Sequence, residues 1–529
     1  MKKLLSLVLA LTMALSLVAC GSGAQETGTP TDAAQTPTDA AVDYANSTVI
    51  LYTGNVRGNV EVYARIAAAR AAYEEKGAAV YLVDAGNYLQ GTAYANSDRG
   101  LTVCNLMDAA GYDVAAMGLY EFVYGGATTG NVYHANLTRY FTQAELLQGT
   151  PALEYRRNSP RADEAVMGNR EAKDPASFAV VCSNLTAGDD ATGYYAFAPN
   201  AVLGDSLKVG FVSAVPENVT DFIQDGYLDG YSFGTVSTPE CDILVALGSG
   251  QGDIVIEAPV GGQPVTGAYV IDNTTRAITA EAVDMTGTDA QVEVLIEAAQ
   301  TAPVVGTSQV ILDGSDRANR NGQTNLGKLT ADALLWYAEN KAEGLRDVPV
   351  AAIQNGGNCD QFLYDGDITE VDLLNALPFS PMGVGIVYVT GAQLLETLEA
   401  ATQCADCPGW AQTAGIVYTV DTAAAYDAGE AYGDFFKASS IRRVTVTSVG
   451  GEAFDENATY AIIADNFLLN GNDTYYTFGA IKEAGEDYVQ LSTFGGLKTR
   501  DIVALYIGEA LGGTVDTAYA QYLILPDAG

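Results

Sequence analysis

The sequence predicts a mixed α/β protein of two domains that follow a secretory leader. Three observations predict this class. About 490 residues remain beyond the leader and the polar segment after it, enough for two to four domains with buried cores. Hydrophobic residues make up 48% of the chain, as expected of a globular protein. Short apolar strands alternate with segments whose apolar residues recur every three or four positions, which is typical of α/β folds.

The N-terminus predicts export and lipid anchoring. Two lysines precede an uncharged apolar run that is too short for a transmembrane helix but typical of a signal peptide. The run ends in Leu-Val-Ala-Cys-Gly, which resembles a lipobox, so residues 1–20 are the predicted lipoprotein signal peptide and Cys20 the lipidation site. The alternative is an ordinary secretory signal with an incidental cysteine. Residues 21–47 are polar and predict a disordered tether. We expect the protein on the extracellular face of the bacterial cell membrane.

The first predicted domain covers residues 48–303. Its strand and helix signals follow one another along the chain: strands at 49–52, 80–83, 114–117, 178–182, 209–215, 242–247 and 253–257, helices at 60–76, near 101–110 and at 291–300, and a hairpin formed by 269–271 and 277–282. Residues 124–178 are polar with few strand signals, which favours a surface insertion.

The second predicted domain covers residues 304–529, and its polar residues 308–323 are interpreted as an interdomain crossing. Apolar periodicity predicts the following elements: helices at 326–341, 391–401 and 499–508, and strands at 350–353, 384–389, 416–420, 444–446 and 460–464. Both domains are therefore expected to be α/β.

Charge and cysteine content narrow the possible partners. The formal net charge is −39, with 65 acidic against 26 basic residues, and nucleic acid is excluded because phosphate binding needs clustered Lys and Arg. Cys404 and Cys407 form one CxxC pair, which predicts a local disulfide or two free thiols, since one pair cannot supply a four-ligand zinc site.

Three segments at predicted strand ends carry a specific resemblance. They read VILYTGNVRG from residue 49, DAGNYLQG from residue 84 and GLYEFVYG from residue 118. They are similar to the patterns ILHTNDxHG, DAGDxxQG and GNHEFDYG of the bifunctional metallophosphatase/5′-nucleotidase family. Further along, NLGK at 325, QNGG at 354, GDIT at 366, LPF at 377 and TGAQL at 390 resemble the C-terminal domain of that family. The resemblance implies an N-terminal metallophosphatase-like α/β sandwich and a C-terminal 5′-nucleotidase-type α/β domain.

The departures from these patterns fall on the residues that hold metal in the family. The resemblance implies two divalent ions bound by Asp, Asn and His, which activate a water as nucleophile. In this chain other residue types occupy the corresponding positions: Asn55, Arg57, Asn87, Leu119, Tyr120 and Ser249. The whole chain contains a single histidine, His134, in the predicted insertion. We therefore expect no metal, no other cofactor and no catalytic residue in this domain.

The second domain keeps more of what the family uses to bind its ligand. The resemblance implies that Phe379 and Phe467 stack on a base and that Asp473 accepts hydrogen bonds from ribose hydroxyls. Asn325 is kept, and Lys328 supplies a nearby positive charge. Asp360 stands where the family has an arginine that meets phosphate, which disfavours a nucleotide. Ordinary packing roles for the two phenylalanines and a turn role for Asp473 are the alternative.

Three functions stay open. The favoured one is a surface lipoprotein of this family that lacks metal-dependent phosphatase activity and binds a nucleoside or nucleotide-like small molecule in its C-terminal domain. The second is an active 5′-nucleotidase or phosphoesterase of nucleotide catabolism with an unrecognised metal site. The third is a surface scaffold or adhesion protein.

Overall fold

The computed structural model describes residues 42–128, 141–158, 165–191, 193–248, 250–378, 383–493 and 495–522. The signal peptide, Cys20, His134, Ser249 and Phe379 lie outside the described residues. The described residues from Tyr44 onward form one compact unit. Among the described residues, no helix is both long and apolar enough to cross a membrane.

The N-terminal half is built on two principal sheets. The larger has the order β16-β15-β1-β2-β3-β7, and the smaller has the order β10-β11-β13-β14. The strands of these two sheets are β1 (Ser47–Gly54), β2 (Ala79–Asp84), β3 (Val114–Ala116), β7 (Ala179–Val181), β10 (Ala201–Leu203), β11 (Val209–Ser213), β13 (Ile243–Gly248), β14 (Ile254–Glu257), β15 (Val265–Asp272) and β16 (Ile278–Glu281). The short strands outside them are β4 (Ala127–Thr128), β5 (Leu153–Asn158), β6 (Ala165–Arg170), β8 (Leu185–Ala187), β9 (Gly193–Tyr194) and β12 (Tyr231–Phe233).

The two sheets pack face to face, and helices cover the far side of the larger one. Alternate residues of each strand point to opposite faces. Ile50 of β1 and Phe211 of β11 therefore belong to the apolar cluster between the sheets, while Leu51 belongs to the cluster that contains the helices. The helices of this half are α1 (Val60–Glu75), α2 (Ala93–Asn96), α3 (Leu101–Ala110), α4 (Gln143–Gln148) and α5 (Ala290–Ala298). The predicted α/β sandwich is confirmed.

The prediction of a surface insertion at 124–178 is wrong for part of that segment. Helix α4 buries Ala144 and Leu146 in the core beside the large sheet, and β5 and β6 form an antiparallel hairpin. The helix begins with a capping box, in which Thr142 and Glu145 each bond the other's backbone N–H. That signal is present in the sequence, but the helix is too short for its apolar periodicity to be recognised.

The C-terminal half contains a five-stranded sheet with the order β21-β18-β27-β20-β28. Its helices are α6 (Asp316–Asn319), α7 (Asn325–Asn340), α8 (Glu370–Ala376), α9 (Gly391–Ala401), α10 (Asn466–Leu469), α11 (Tyr476–Ala484) and α12 (Thr499–Glu509). Its strands are β17 (Val304–Ser308), β18 (Val350–Asn355), β19 (Gly366–Thr369), β20 (Val384–Thr390), β21 (Ala411–Ala414), β22 (Ile416–Val420), β23 (Ala428–Tyr432), β24 (Phe435–Ala438), β25 (Val444–Val449), β26 (Glu452–Ala453), β27 (Thr459–Asp465), β28 (Tyr488–Gln490) and β29 (Thr514–Val515).

Helices cover both faces of this five-stranded sheet. Residues of α7 and α12 pack on one face, and residues of α9 and α11 pack on the other. Strands β18 and β27 run parallel as neighbours, so their carboxyl ends lie at the same edge. The predicted α/β class of the C-terminal half is confirmed.

Candidate functional site

The motif residues of the N-terminal half meet at one edge of the large sheet. Strands β1, β2 and β3 are parallel neighbours, so the loops that follow them lie side by side. Asn55 and Arg57 follow β1, Asn87 follows β2 and Leu119 follows β3. Ligands bind at such strand ends in many α/β proteins. Asn55, Arg57 and Asn87 all have positive φ, at 53°, 53° and 66°, a conformation that asparagine tolerates better than arginine.

Two buried asparagine side chains bond to each other at this edge, and we call this arrangement the amide network. Asn87 Nδ2 donates to Asn55 Oδ1 at 2.8 Å and to the carbonyl of Ala258 at 2.9 Å. Asn87 Oδ1 accepts from the backbone N–H of Leu119 at 3.0 Å, and Asn55 Nδ2 donates to the carbonyl of Pro259 at 2.9 Å. Both amides therefore have partners for donor and acceptor alike, without any charged group.

Glu121 holds the loop after β2 against the loop after β3. Its buried carboxylate accepts from the backbone N–H groups of Asn87, Tyr88, Leu89 and Gly118 at 2.7–3.1 Å. Burial raises the pKa of Glu121, while these four bonds act in the opposite direction. Sequence reasoning assigned no role to this residue, although it lies within the third motif.

Arg57, Tyr120 and Asp365 form a cluster that joins the two halves of the chain. Arg57 Nη1 pairs with Asp365 Oδ2 at 2.6 Å, and its Nη2 donates to the Asp365 carbonyl. The guanidinium carbon lies 4.3 Å from the centroid of the Tyr120 ring, and Tyr120 Oη donates to Asp365 Oδ1 at 2.6 Å. Burial and then the Asp365 carboxylate raise the pKa of Tyr120, so its phenol stays protonated and able to donate.

Further contacts also join the two halves. Asp367 Oδ2 accepts from the backbone N–H of Ala93 at 2.8 Å, and Asn96 Nδ2 donates to the Asp367 carbonyl at 2.7 Å. Arg317 Nη1 pairs with Asp225 Oδ1 at 2.5 Å. The loop residues that the family would commit to metal therefore lie beside a contact surface between the two halves.

These residues do not fit a centre of two divalent ions. Such a centre needs carboxylates and imidazoles with free lone pairs. The motif positions Asn55, Asn87, Leu119 and Arg57 instead present paired amides, a leucine and an arginine cation. Among the described residues, no group of three or more His, Cys, Asp or Glu side chains is arranged to hold a metal. No metal-dependent step follows from this arrangement.

A second cluster of polar side chains lies at the carboxyl ends of β18 and β27. Asn355 ends β18 and donates from Nδ2 to Asp473 Oδ2 at 2.8 Å. Asp465 ends β27 and caps α10 by accepting from the N–H of Leu468 at 3.0 Å. Gln354 is buried between these groups and donates to Asn355 Oδ1 and to Asp465 Oδ2, at 2.8 and 3.3 Å.

Asp473 and Phe467 are two of the predicted ligand residues at this edge. Asp473 has a φ of 51°, and burial raises its pKa, while the bond from Asn355 and the charge of Arg320 act the other way. Phe467 is half-buried on α10, which starts directly after Asp465. Arg320 is a nearby cation that sequence reasoning did not single out. The ligand role of Phe467 and Asp473 stays a prediction.

The other predicted ligand residues have structural partners. Asn325 Oδ1 accepts from the N–H of Asp313 at 2.6 Å, and its Nδ2 donates to the carbonyl of Ile311 at 2.9 Å. Lys328 pairs with Asp332 one helical turn further along α7. The Asp360 carbonyl accepts from Gln224 of the N-terminal half at 2.8 Å. A ligand role for these three residues also stays a prediction.

Comparison with known proteins finds a family match in the C-terminal half. Residues 304–480 match the family model of the 5′-nucleotidase C-terminal domain. The trifunctional nucleotide phosphoesterase protein YfkN of Bacillus subtilis is 33% identical over 196 residues, which is 36% of this chain and 12% of that protein. The 5′-nucleotidase of Vibrio cholerae is 30% identical over 165 residues, 31% of this chain and 25% of that protein.

The chain thus spans a quarter or less of the length of these two relatives. Among solved structures, the 5′-nucleotidase precursor from Thermus thermophilus aligns over 89% of this chain and 99% of its own, at 18% identity and a TM-score of 0.38. The resemblance to the 5′-nucleotidase family is confirmed, and residues 304–480 match the model of the family's C-terminal domain.

Proposed function

We propose that this protein is a lipid-anchored surface protein of the 5′-nucleotidase family that binds a nucleoside-like ligand and does not hydrolyse phosphate esters with metal. The observation that carries the proposal is the amide network. At the strand ends where hydrolysis would need metal ligands, Asn55 and Asn87 use their amide groups to bond each other and the neighbouring backbone. Arg57 and Tyr120 are committed to Asp365.

Ligand binding is supported by the polar cluster at the ends of β18 and β27. A carboxylate that keeps one oxygen on Asn355 can still accept a hydroxyl at the other, and Phe467 lies on the adjacent helix. Asp465 and Asp473 make this edge acidic, with Arg320 as a nearby cation. A nucleotide would bring a negatively charged phosphate to this acidic edge, so a neutral nucleoside meets less repulsion here.

The first test separates a binding protein from a hydrolase. Purified protein is incubated with Mn²⁺, Zn²⁺ or Mg²⁺, its bound metal is measured by mass spectrometry, and phosphate release from AMP is followed. We expect less than one metal ion per chain and no release above the rate without protein. Two bound transition-metal ions with turnover would establish the hydrolase instead.

The second test addresses the ligand. Thermal unfolding is recorded with adenosine, other nucleosides and the corresponding monophosphates, because a ligand that binds only the folded state raises the melting temperature. We expect a larger shift with nucleosides. Asparagine tolerates the positive φ of Asp473, and its amide oxygen can still accept the hydrogen bond from Asn355. Asp473→Asn therefore removes mainly the negatively charged oxygen that would accept a hydrogen bond from the ligand hydroxyl. Loss of one hydrogen bond to a charged group, about 1.5–3 kcal/mol, corresponds to weakening of nucleoside binding by about 10- to 150-fold.

A matched pair of phenylalanine variants tests the stacking role. Phe467 and Phe454 are both half-buried and pack against the same apolar cluster. Phe467→Ala should abolish the nucleoside shift, whereas Phe454→Ala should lower stability but keep the shift. If no nucleoside changes the melting temperature of the unsubstituted protein, a scaffold or adhesion role is favoured.

The anchoring part of the proposal depends on Cys20. Metabolic labelling with a radioactive fatty acid should tag the protein and should fail for Cys20→Ala, because acylation needs that thiol. Protease added to intact cells should then degrade the anchored protein. Labelling that persists in Cys20→Ala would refute the assignment of the anchor.

A further inference from the structure

A cavity of about 600 Å³ opens at the strand-end edge of the N-terminal half. The loops after β2 and β3 form one side of it, and the chain after β11 and the segment around β14 form the other. Its lining includes Asn87, Leu119, Val219, Phe222, Val255 and Val260. A volume of this size is within the range of small-molecule sites.

The amide network borders this cavity and offers a ligand little to bind through polar contacts. Asn87 lines the cavity, yet its Nδ2 already donates to Asn55 and to the Ala258 carbonyl, and its Oδ1 accepts from Leu119. A ligand that relied on hydrogen bonds to Asn87 would have to break these bonds. The side chain therefore presents a neutral and already satisfied surface.

The rest of the lining is mainly apolar. Leu119, Val219 and Phe222 contribute aliphatic and aromatic surface, and Val255 and Val260 are 36% and 49% exposed. Glu257 is the one charged residue among those that line the cavity in the described part of the chain, and it is exposed. An anion has no cation to pair with among these described lining residues and would meet the Glu257 carboxylate. Water at the apolar walls cannot make its full set of hydrogen bonds, so an apolar molecule displaces it favourably.

We propose that this cavity binds an uncharged, largely apolar small molecule, aromatic or alicyclic, with a hydrogen-bond donor at the end that reaches Glu257. The site is separate from the nucleoside site proposed at the ends of β18 and β27. The ligand would bind through apolar contacts beside the loops that follow β2 and β3.

The experiment uses N-phenyl-1-naphthylamine, a neutral aromatic amine whose fluorescence rises in apolar surroundings. It is titrated into the full chain carrying Cys20→Ala, so that no acyl chain competes for the probe. Val255→Asp places a carboxylate at the cavity. Val202→Asp is the matched control, because Val202 is 41% exposed on β10, the opposite edge strand of the same sheet, and does not line the cavity.

We expect saturable binding that Val255→Asp weakens at least tenfold and that Val202→Asp changes less than twofold. If Val255→Asp fails to fold, Val260→Asp, in the loop after β14, gives the same test. Asp473→Asn should leave probe binding unchanged, which separates this site from the proposed nucleoside site. Absence of saturable binding, or equal binding by the cavity variants and Val202→Asp, would overturn the proposal.

Discussion

Replacing Arg57 by methionine should lower the free energy of unfolding by about 3 kcal/mol, because Asp365 and Tyr120 would remain largely buried without the cation that they contact. Asp365 would lose the guanidinium that neutralises its carboxylate, and Tyr120 would lose the cation above its ring. Methionine keeps much of the aliphatic length of arginine, so the loss reports mainly on charge and hydrogen bonds.

The magnitude follows from the exposure of the pair. The side chains of Arg57 and Asp365 are 16% and 17% exposed, so the pair is intermediate between a buried one and a surface one. Breaking a buried pair costs about 3–5 kcal/mol, and an exposed pair contributes about 0–1 kcal/mol. Partial hydration makes the cost of breaking this pair lower than the cost for a buried pair. The lost cation–π contact with Tyr120 adds about 0.5–1 kcal/mol.

A double-mutant cycle isolates the interaction. Urea unfolding is measured for Arg57→Met, Asp365→Asn and the double variant, and we expect a coupling energy of about 2 kcal/mol between the two sites. Arg65→Met is the matched control, because Arg65 pairs with Glu61 at 45% and 69% exposure and its loss should cost less than about 0.5 kcal/mol. A coupling energy near zero, or an equal cost for Arg57→Met and Arg65→Met, would refute the reasoning.

Three further predictions concern buried polar groups. Burial raises the pKa of Asp84 to about 7, so the folded state binds more protons than the unfolded state between about pH 4 and 7. The free energy of unfolding of the unsubstituted protein, relative to that of Asp84→Asn, should therefore fall as the pH rises through this range and level off above it. Urea titrations at several pH values measure this difference. Glu121→Gln should cost about 2–3 kcal/mol in the same assay, because an amide cannot accept from all four N–H groups that the carboxylate binds; unchanged stability would contradict this. Cys404 and Cys407 are both free thiols, and burial raises the pKa of Cys407. Iodoacetamide at pH 8 should therefore label Cys404 well before Cys407, as measured by mass spectrometry. Equal labelling rates would show that Cys407 is more exposed to solvent than it is in the structure.

Much of the fold could be predicted from the sequence because its main elements have strong periodicity. The helix predicted at 391–401 has those bounds in α9, and the helix predicted at 326–341 differs by one residue at each end from α7. The segment at 124–178 is the exception, because α4 is only 6 residues long and its capping box is the main local signal of a helix.

The candidate site was less predictable because its partners are distant in the chain. The sequence shows that Arg57 and Tyr120 depart from the family motifs, but not that both contact Asp365, which lies 308 residues beyond Arg57. The same holds for Asn355 and Asp473, which are 118 residues apart. Only the parallel pairing of β18 and β27 shows which loops share an edge.

The structural contacts of Arg57 and Asn87 also limit which substitutions this protein can accept at the two positions. Arg57→His, one step toward a metal ligand, would leave the Asp365 carboxylate without its cation. Asn87→Asp, another such step, would place a carboxylate against the carbonyl of Ala258 and the amide oxygen of Asn55. Each step alone lowers stability and neither alone completes a binuclear centre. Building a binuclear centre at these strand ends would therefore require several coordinated substitutions.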